Sequence, residues 1–100
     1  MIAITSTGNK LNSLIDLRFT KCPYFGILKE SETQFIQNPF CDKNGDIAAL
    51  LVQWLKKQGV TLLITGEICS LAKKSLKNAH IQTLLIDNDK STMQTIQRLW

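Results

Sequence analysis

Cys69 sits where a thiol can carry chemistry. It follows an apolar run that ends at Thr65-Gly66 and precedes a segment patterned as a helix. A helix N-terminus favours the thiolate over the thiol. A thiolate is a nucleophile and a soft ligand for iron–sulfur species, copper(I) and zinc. A cysteine at such a place also packs as a small hydrophobe, much as alanine does, and the local pattern leaves both roles open. Thr65-Gly66 offers unpaired backbone N–H groups and the positive end of a helix dipole, a combination that favours an anion. A glycine at a strand-to-helix turn also serves backbone geometry alone.

The other cysteines are Cys22 and Cys41, and the three are too far apart to form a C-x-x-C pair. A zinc knuckle and a thioredoxin-like redox motif are therefore unsupported. In a reducing compartment all three are expected to be thiols. His80 is the single histidine. It falls at the far end of the helix that Cys69 begins, roughly 15 Å away at the rise of an α-helix. Its expected role is the helix stop, because histidine tolerates left-handed backbone. With no base near Cys69, a cysteine hydrolase is not indicated. The strand segments IAITS and VTLLIT carry no carboxylates for paired-metal chemistry, and Asp87 and Asp89 read as turn and cap residues. The phosphate signatures G-x-x-x-x-G-K-[ST] and G-x-G-x-x-G are absent. No catalytic constellation emerges, and a non-enzyme is expected.

The elements that position these residues follow from apolar periodicity. Ile2 to Thr5 reads as a strand ending in the turn-rich Ser6-Thr7-Gly8-Asn9. A polar loop holding Leu11, Leu14 and Ile15 follows. Tyr24 to Leu28 and Thr33 to Gln37 read as a hairpin joined through Glu30-Ser31-Glu32 and ended by Asn38-Pro39. After the turn Asn44-Gly45, Asp46 is the expected N-cap of a helix with Ile47, Leu50, Leu51, Trp54 and Leu55 inward and Gly59 as its stop. Val60 to Thr65 is a central strand. Leu71, Ala72, Leu76 and Ala79 line a second helix whose lysines face outward, and Ile81 to Ile86 is a further buried strand. Ser91 is the expected cap of a last helix carrying Met93, Ile96 and Trp100 inward.

Alternation after an initial hairpin predicts a single α/β domain over residues 1–100, with a mixed five-stranded sheet, helices on both faces and the hairpin at one edge. Right-handed crossovers make the first, fourth and fifth strands parallel. The ends of the first and fourth strands, Thr5 to Gly8 and Thr65-Gly66, then meet where open α/β sheets bind ligands. Cys41 and Cys22 are able to reach that same rim as Cys69, which makes the three thiols candidate metal ligands.

Hydrophobic residues at 44% and charged residues at 20% exclude a disordered chain. A net charge of +4 without a dense basic, aromatic-interleaved face does not indicate a nucleic-acid partner, though it suits an anionic ligand. No apolar stretch approaches the roughly 18 residues that span a bilayer, so no membrane partner is expected. MIAITSTGNK lacks a basic region followed by a long apolar run, so no secretory signal is expected and a cytoplasmic location is.

Several local patterns, in order, carry a resemblance. They are IAITS, then Leu14 to Phe19 with Lys21-Cys22-Pro23-Tyr24-Phe25, Asn38-Pro39-Phe40, Ala48 to Leu51, Gln58-Gly59-Val60, and Leu63-Ile64-Thr65-Gly66 with Ala72. Together they resemble the dinitrogenase iron–molybdenum cofactor biosynthesis family, whose members include nitrogenase cofactor carriers and the molybdenum–copper sulfide-binding orange protein. The resemblance spans nearly the whole chain, and R-F-x-x-x-P-Y-F followed later by I-T-G is its most specific part. It implies a three-layer, ribonuclease-H-like α/β/α fold and non-catalytic binding of an anionic metal–sulfur cluster, with donor or acceptor proteins for that cluster as partners. Matched to the family's ligand-facing loops are Ser6, Thr7, Gly8, Asn9, Arg18, Lys21, Cys22, Thr65 and Gly66. Where relatives commonly continue I-T-G-x-x-G-P-x-A, this chain has Cys69 and Ser70 for the second glycine and the proline. The loop from Asn38 to Asp46 is short and lacks the histidine and repeated glycines often found there. A cluster carrier or scaffold is the leading expectation. A non-metal interaction module that keeps the fold without the ligand is the alternative.

Overall fold

Short apolar strands and two amphipathic helices build one mixed sheet with a helical layer. The computed structural model describes residues 1–30, 32–43, 47–86 and 92–93. The described elements are β1 (Ile2–Ser6), β2 (Tyr24–Lys29), β3 (Glu32–Gln37), α1 (Ala48–Lys57), β4 (Leu62–Thr65), α2 (Ser70–Asn78) and β5 (Gln82–Leu85). They assemble in the spatial order β3-β2-β1-β4-β5. β1 pairs parallel with β4 and β4 with β5, while β2 runs antiparallel to β1 and to β3. This is the expected topology, with the β2–β3 hairpin extending one edge.

Each helix ends where its backbone turns left-handed. After α1, Gly59 has φ +85°, the Gly59 N–H donates to the Lys56 carbonyl at 3.0 Å and the Val60 N–H to Leu55 at 3.2 Å. After α2, His80 takes the same role at φ +61°, with the His80 N–H donating to Lys77 and that of Ile81 to Leu76. Both ends are Schellman closures that satisfy carbonyls a helix leaves unpaired. His80 is therefore a helix stop, as expected.

Both described helices pack on one face of the sheet, over a core that includes Ala3, Phe25, Leu51, Leu55, Leu63 and Leu76. Phe25 anchors it, stacked at a tilt on Trp54 at 5.6 Å and edge-on to Phe19 at 6.3 Å. On the opposite face Ile4, Ile15, Ile64 and Met93 form a second buried cluster. Met93 is fully buried there. Of the expected last helix, Ser91, Ile96 and Trp100 lie outside the described residues, as do Ser31 of the hairpin connection and Asn44, Gly45 and Asp46 before α1. The residue that begins α1 is Ile47, which makes no side-chain cap bond.

Three expectations about burial are corrected. The buried stripe of α1 is Ala48, Leu51, Val52 and Leu55, which leaves Leu50 exposed. In α2 the inward residues are Ala72 and Leu76, and Leu71 faces solvent. Among the described residues β5 is the edge strand rather than a buried one, with Leu84 and Leu85 exposed.

Candidate functional site

The carboxyl rim of the parallel strands is crossed by residues 14–18, and this crossing decides where a ligand can sit. The Asp16 N–H donates to the Thr5 carbonyl at 3.0 Å, and the Glu67 N–H donates to the Leu17 carbonyl at 2.8 Å. The Thr5 hydroxyl donates to the Asp16 carbonyl and shares a 3.1 Å hydrogen bond with the hydroxyl of Thr65. Bridges Ser6–Ile15 and Arg18–Glu67 continue the tie on both sides. Gly66 accommodates it, because an added Cβ would stand 2.5 Å from the Cα of Leu17. The point where β1 and β4 diverge is thus filled by the chain itself.

Beyond this crossing an open cleft of about 470 Å³ lies between residues 18–21 and the turn into α2. Arg18, Phe19, Lys21, Glu67, Ile68 and Cys69 are among its lining residues. Its size falls within the range of small-ligand sites. Cys69 is exposed and is the N-cap of α2, one position earlier than a place in the first turn; its Sγ accepts the Ala72 N–H at 3.4 Å. Arg18 is 62% exposed, while Asp16, at 5%, is buried beneath it. The carboxylate of Asp16 grips Arg18 as a fork, accepting from Nε at 3.0 Å and Nη2 at 2.9 Å, and also accepts the Arg18 backbone N–H at 2.9 Å. Those contacts raise the Arg18 pKa and leave guanidinium N–H groups free of the fork to meet an anion. Lys21 is exposed and reaches the Lys43 carbonyl at 2.7 Å.

The cleft wall rests on a buried asparagine that the sequence marks as the end of a strand and as part of the Asn38-Pro39-Phe40 pattern, without a site role. Asn38 donates from Nδ2 to the carbonyls of Cys22 at 2.8 Å and Thr20 at 3.2 Å, and accepts the Phe40 N–H at 2.9 Å. Phe19 and Ala72, both within the resembling patterns, also line the cleft, as do Thr20, Glu67 and Ile68, which carry no local signal that singles them out.

Of the expected site residues, Arg18, Lys21 and Cys69 come together. Thr65 is fully buried, and Gly66 is backed by Leu17. Ser6, Thr7, Gly8 and Asn9 do not line the cleft; Ser6 bonds to Gly8, and Thr7 to the Leu14 carbonyl. Cys41 lines a separate open pocket of about 470 Å³ with Asn38, Pro39 and Lys43. Cys22 lies at the same rim but is fully buried, its thiol donating to the Phe19 carbonyl at 3.4 Å. Among the described residues no group of three or more His, Cys, Asp or Glu side chains is placed to hold a metal ion. The three thiols are thus placed apart, Cys69 at the cleft, Cys41 in a second pocket and Cys22 buried.

Burial pushes the Cys22 thiol up to about 12, with the nearby Asp16 charge adding to the effect. The unfolded chain releases this proton first, near the ordinary value of 9.0, so Cys22 makes stability fall as pH rises from there toward about 12. Iodoacetamide at pH near 8 is accordingly expected to modify Cys69 and Cys41 in the native protein. Cys22 should react only with denaturant present, and peptide mapping of the alkylated sites checks this order.

The topology and the cleft define a small ribonuclease-H-like α/β domain with a thiol and two cations at the mouth of a rim cleft. The chain belongs to the dinitrogenase iron–molybdenum cofactor family, which it matches over residues 1–100. It is similar to the apo orange protein of Desulfovibrio gigas, with a TM-score of 0.86 and 25% identity over 98% of this chain and 84% of that one. It is also similar to a Thermotoga protein provisionally assigned as NifB, with a TM-score of 0.79 and 28% identity over 98% and 84% of the two chains. No curated protein matches it. Among the described residues no helix is long and apolar enough to cross a membrane.

Proposed function

We propose that this domain is a non-catalytic, cytoplasmic carrier or scaffold that holds an anionic metal–sulfur cluster in the cleft between residues 18–21 and the start of α2. The observation that carries the reading is the exposed Cys69 thiol facing a cleft that Arg18 and Lys21 also line, in a member of a family named for the iron–molybdenum cofactor. One thiolate does not make a closed metal site, since structural metal centres use three or four protein ligands. A preassembled cluster is different, because it brings its own sulfides and needs chiefly an anchor and compensating charge. Cys69 serves as the anchor, and Arg18 and Lys21 neutralise the cluster. The first-turn N–H groups of α2 add hydrogen bonds to its sulfur atoms. Cys41 and Cys22 are secondary candidates, and Cys22 needs the wall to open first.

Anaerobic purification, visible spectra, metal analysis and titration with iron–sulfur species, thiomolybdate and copper test the reading. Cys69→Ala is expected to weaken retention about tenfold or more, whereas Cys41→Ala changes it little. Equal affinity of wild type and Cys69→Ala would reduce Cys69 to a cap residue. Absence of any chromophore or retained metal under all these conditions would favour a module that keeps the fold for protein contacts alone.

A further inference from the structure

A second groove, unrelated to the thiols, runs between α2 and the outer edge of the sheet. It has a volume of about 750 Å³. Ile68, Thr83 and Leu85 contribute to its floor, and Lys73, Lys77 and His80 line it from the α2 side. No carboxylate is found among its described lining residues. β5 is the terminal strand of the described sheet, and Leu85 is 54% exposed. The Gln82 and Ile86 N–H groups donate to the carbonyls of Thr61 and Thr65. Donors alternate in direction along a strand, so the backbone groups of Thr83 and Leu85 point away from β4. β5 is short, four residues carrying two leucines, but an edge strand with outward backbone groups can still pair with an added strand.

We infer that this groove binds an extended acidic segment of a partner protein, which adds to β5 as a further strand and sets its carboxylates against Lys73, Lys77 and His80. In strand addition the main chain supplies affinity, while pockets for alternate side chains supply specificity. Here the apolar floor takes aliphatic side chains, and Lys73 and Lys77 select the acidic ones. Charge decides among occupants. A second copy of this chain would bring the same cations to an edge-to-edge pairing, and like charges there repel. Single-stranded nucleic acid would want aromatic platforms, and the described lining contains none. Ile68 lines both this groove and the Cys69 cleft, so a docked segment lies beside the cleft mouth.

The test is selection of a random short-peptide display library on the full-length protein, followed by anisotropy titration of the enriched peptides. Enrichment of peptides that alternate acidic with aliphatic residues is expected, with amide shift changes centred on Thr83 and Leu85. The double variant Lys73→Glu/Lys77→Glu changes only exposed side chains and should fold. It is expected to lower affinity about tenfold or more. Leu85→Pro removes an outward N–H without touching a bond to β4, and should lower affinity similarly. Enrichment of peptides without acidic residues, or of none, overturns the proposal. So do unchanged affinity in either variant and shift changes centred on Arg18 and Cys69. It is equally overturned if a uridine oligonucleotide or phosphatidylglycerol vesicles perturb the β5 amides while the peptides do not. Cys69→Ala should leave peptide affinity intact, which separates this groove from the cluster reading.

Discussion

Gly66→Ala is expected to lower the stability of the domain by about 3 kcal/mol, seen as a reduced urea midpoint at unchanged slope. The methyl group would stand 2.5 Å from the Leu17 Cα and collide with the Leu17 side chain as well. A backbone atom cannot rotate aside as a side chain can. Leu17 is also fixed from both directions, through its own carbonyl to the Glu67 N–H at 2.8 Å and through the neighbouring Asp16 N–H to Thr5 at 3.0 Å. Relief therefore means moving residues 14–18 off the rim, which breaks these bonds and shifts Arg18. Trimming the neighbour in Leu17→Ala/Gly66→Ala should not restore stability, because the clash with the Leu17 backbone remains. Gly8→Ala is the internal control. There the new methyl meets the terminal Oγ of Ser13 at 2.7 Å, which a rotamer change relieves, so the loss should stay below about 1 kcal/mol. Equal losses at the two glycines would mean that the crossing segment is not tightly held.

The contrast between these two glycines shows what is legible in one dimension. Local periodicity suffices for β1, the β2–β3 hairpin and the parallel trio, because each strand announces itself by β-prone apolar residues between turn signals. The stops at Gly59 and His80 are local too, since each depends on the backbone preference of a single residue. Burial is less local. In AALLV, at residues 48–52, apolar residues occupy every direction around α1, and only the docked partner decides that Val52 turns inward and Leu50 outward. Ile81 to Ile86 is apolar enough for a central strand, yet among the described residues it forms the sheet edge because strand order is a property of the whole topology.

The candidate site divides along the same line. Cys69 is visible because a strand-to-helix turn is a local pattern. Arg18 and Lys21 enter through the resemblance of R-F-x-x-x-P-Y-F to a family motif, and they do line the cleft. The crossing by residues 14–18 lies within the same resembling stretch, yet no local pattern marks it as a cover over the rim. It reads as a polar loop, and its anchors are partners far along the chain, such as Thr5 and Glu67. That crossing is why Thr65 and the Ser6 to Asn9 turn, placed at the rim by topology, do not line the cleft. At Gly66 the missing Cβ makes room for Leu17, a requirement of backbone geometry.

Asn38 is where the cleft wall is weakest to chemical change, and Asn38→Asp should cost about 3 kcal/mol at neutral pH. The side chain is 2% exposed, and its amide nitrogen serves the Cys22 and Thr20 carbonyls. A carboxylate of the same shape has no hydrogens for those carbonyls and would face them with like partial charge. Only the bond from the Phe40 N–H, now 2.9 Å long, would survive. Asn38→Ala leaves the same carbonyls unpaired without burying a charge, so a smaller loss of about 2 kcal/mol is expected. The pH dependence separates the two variants. Burial among carbonyls raises the folded pKa of the introduced carboxyl above its unfolded value of about 4. Below that value both states hold the proton and the deficit is smallest. It grows as pH rises from there to the folded pKa, because ionisation is easier in the unfolded chain. Asn38→Ala should show no such added slope when urea unfolding is compared between acid and neutral pH. Because Asn38 also holds the Cys22 carbonyl, both substitutions should expose that thiol to iodoacetamide under native conditions. A variant with wild-type stability and a protected Cys22 would show that the wall between β3 and residues 19–22 is held by packing around Phe25 instead.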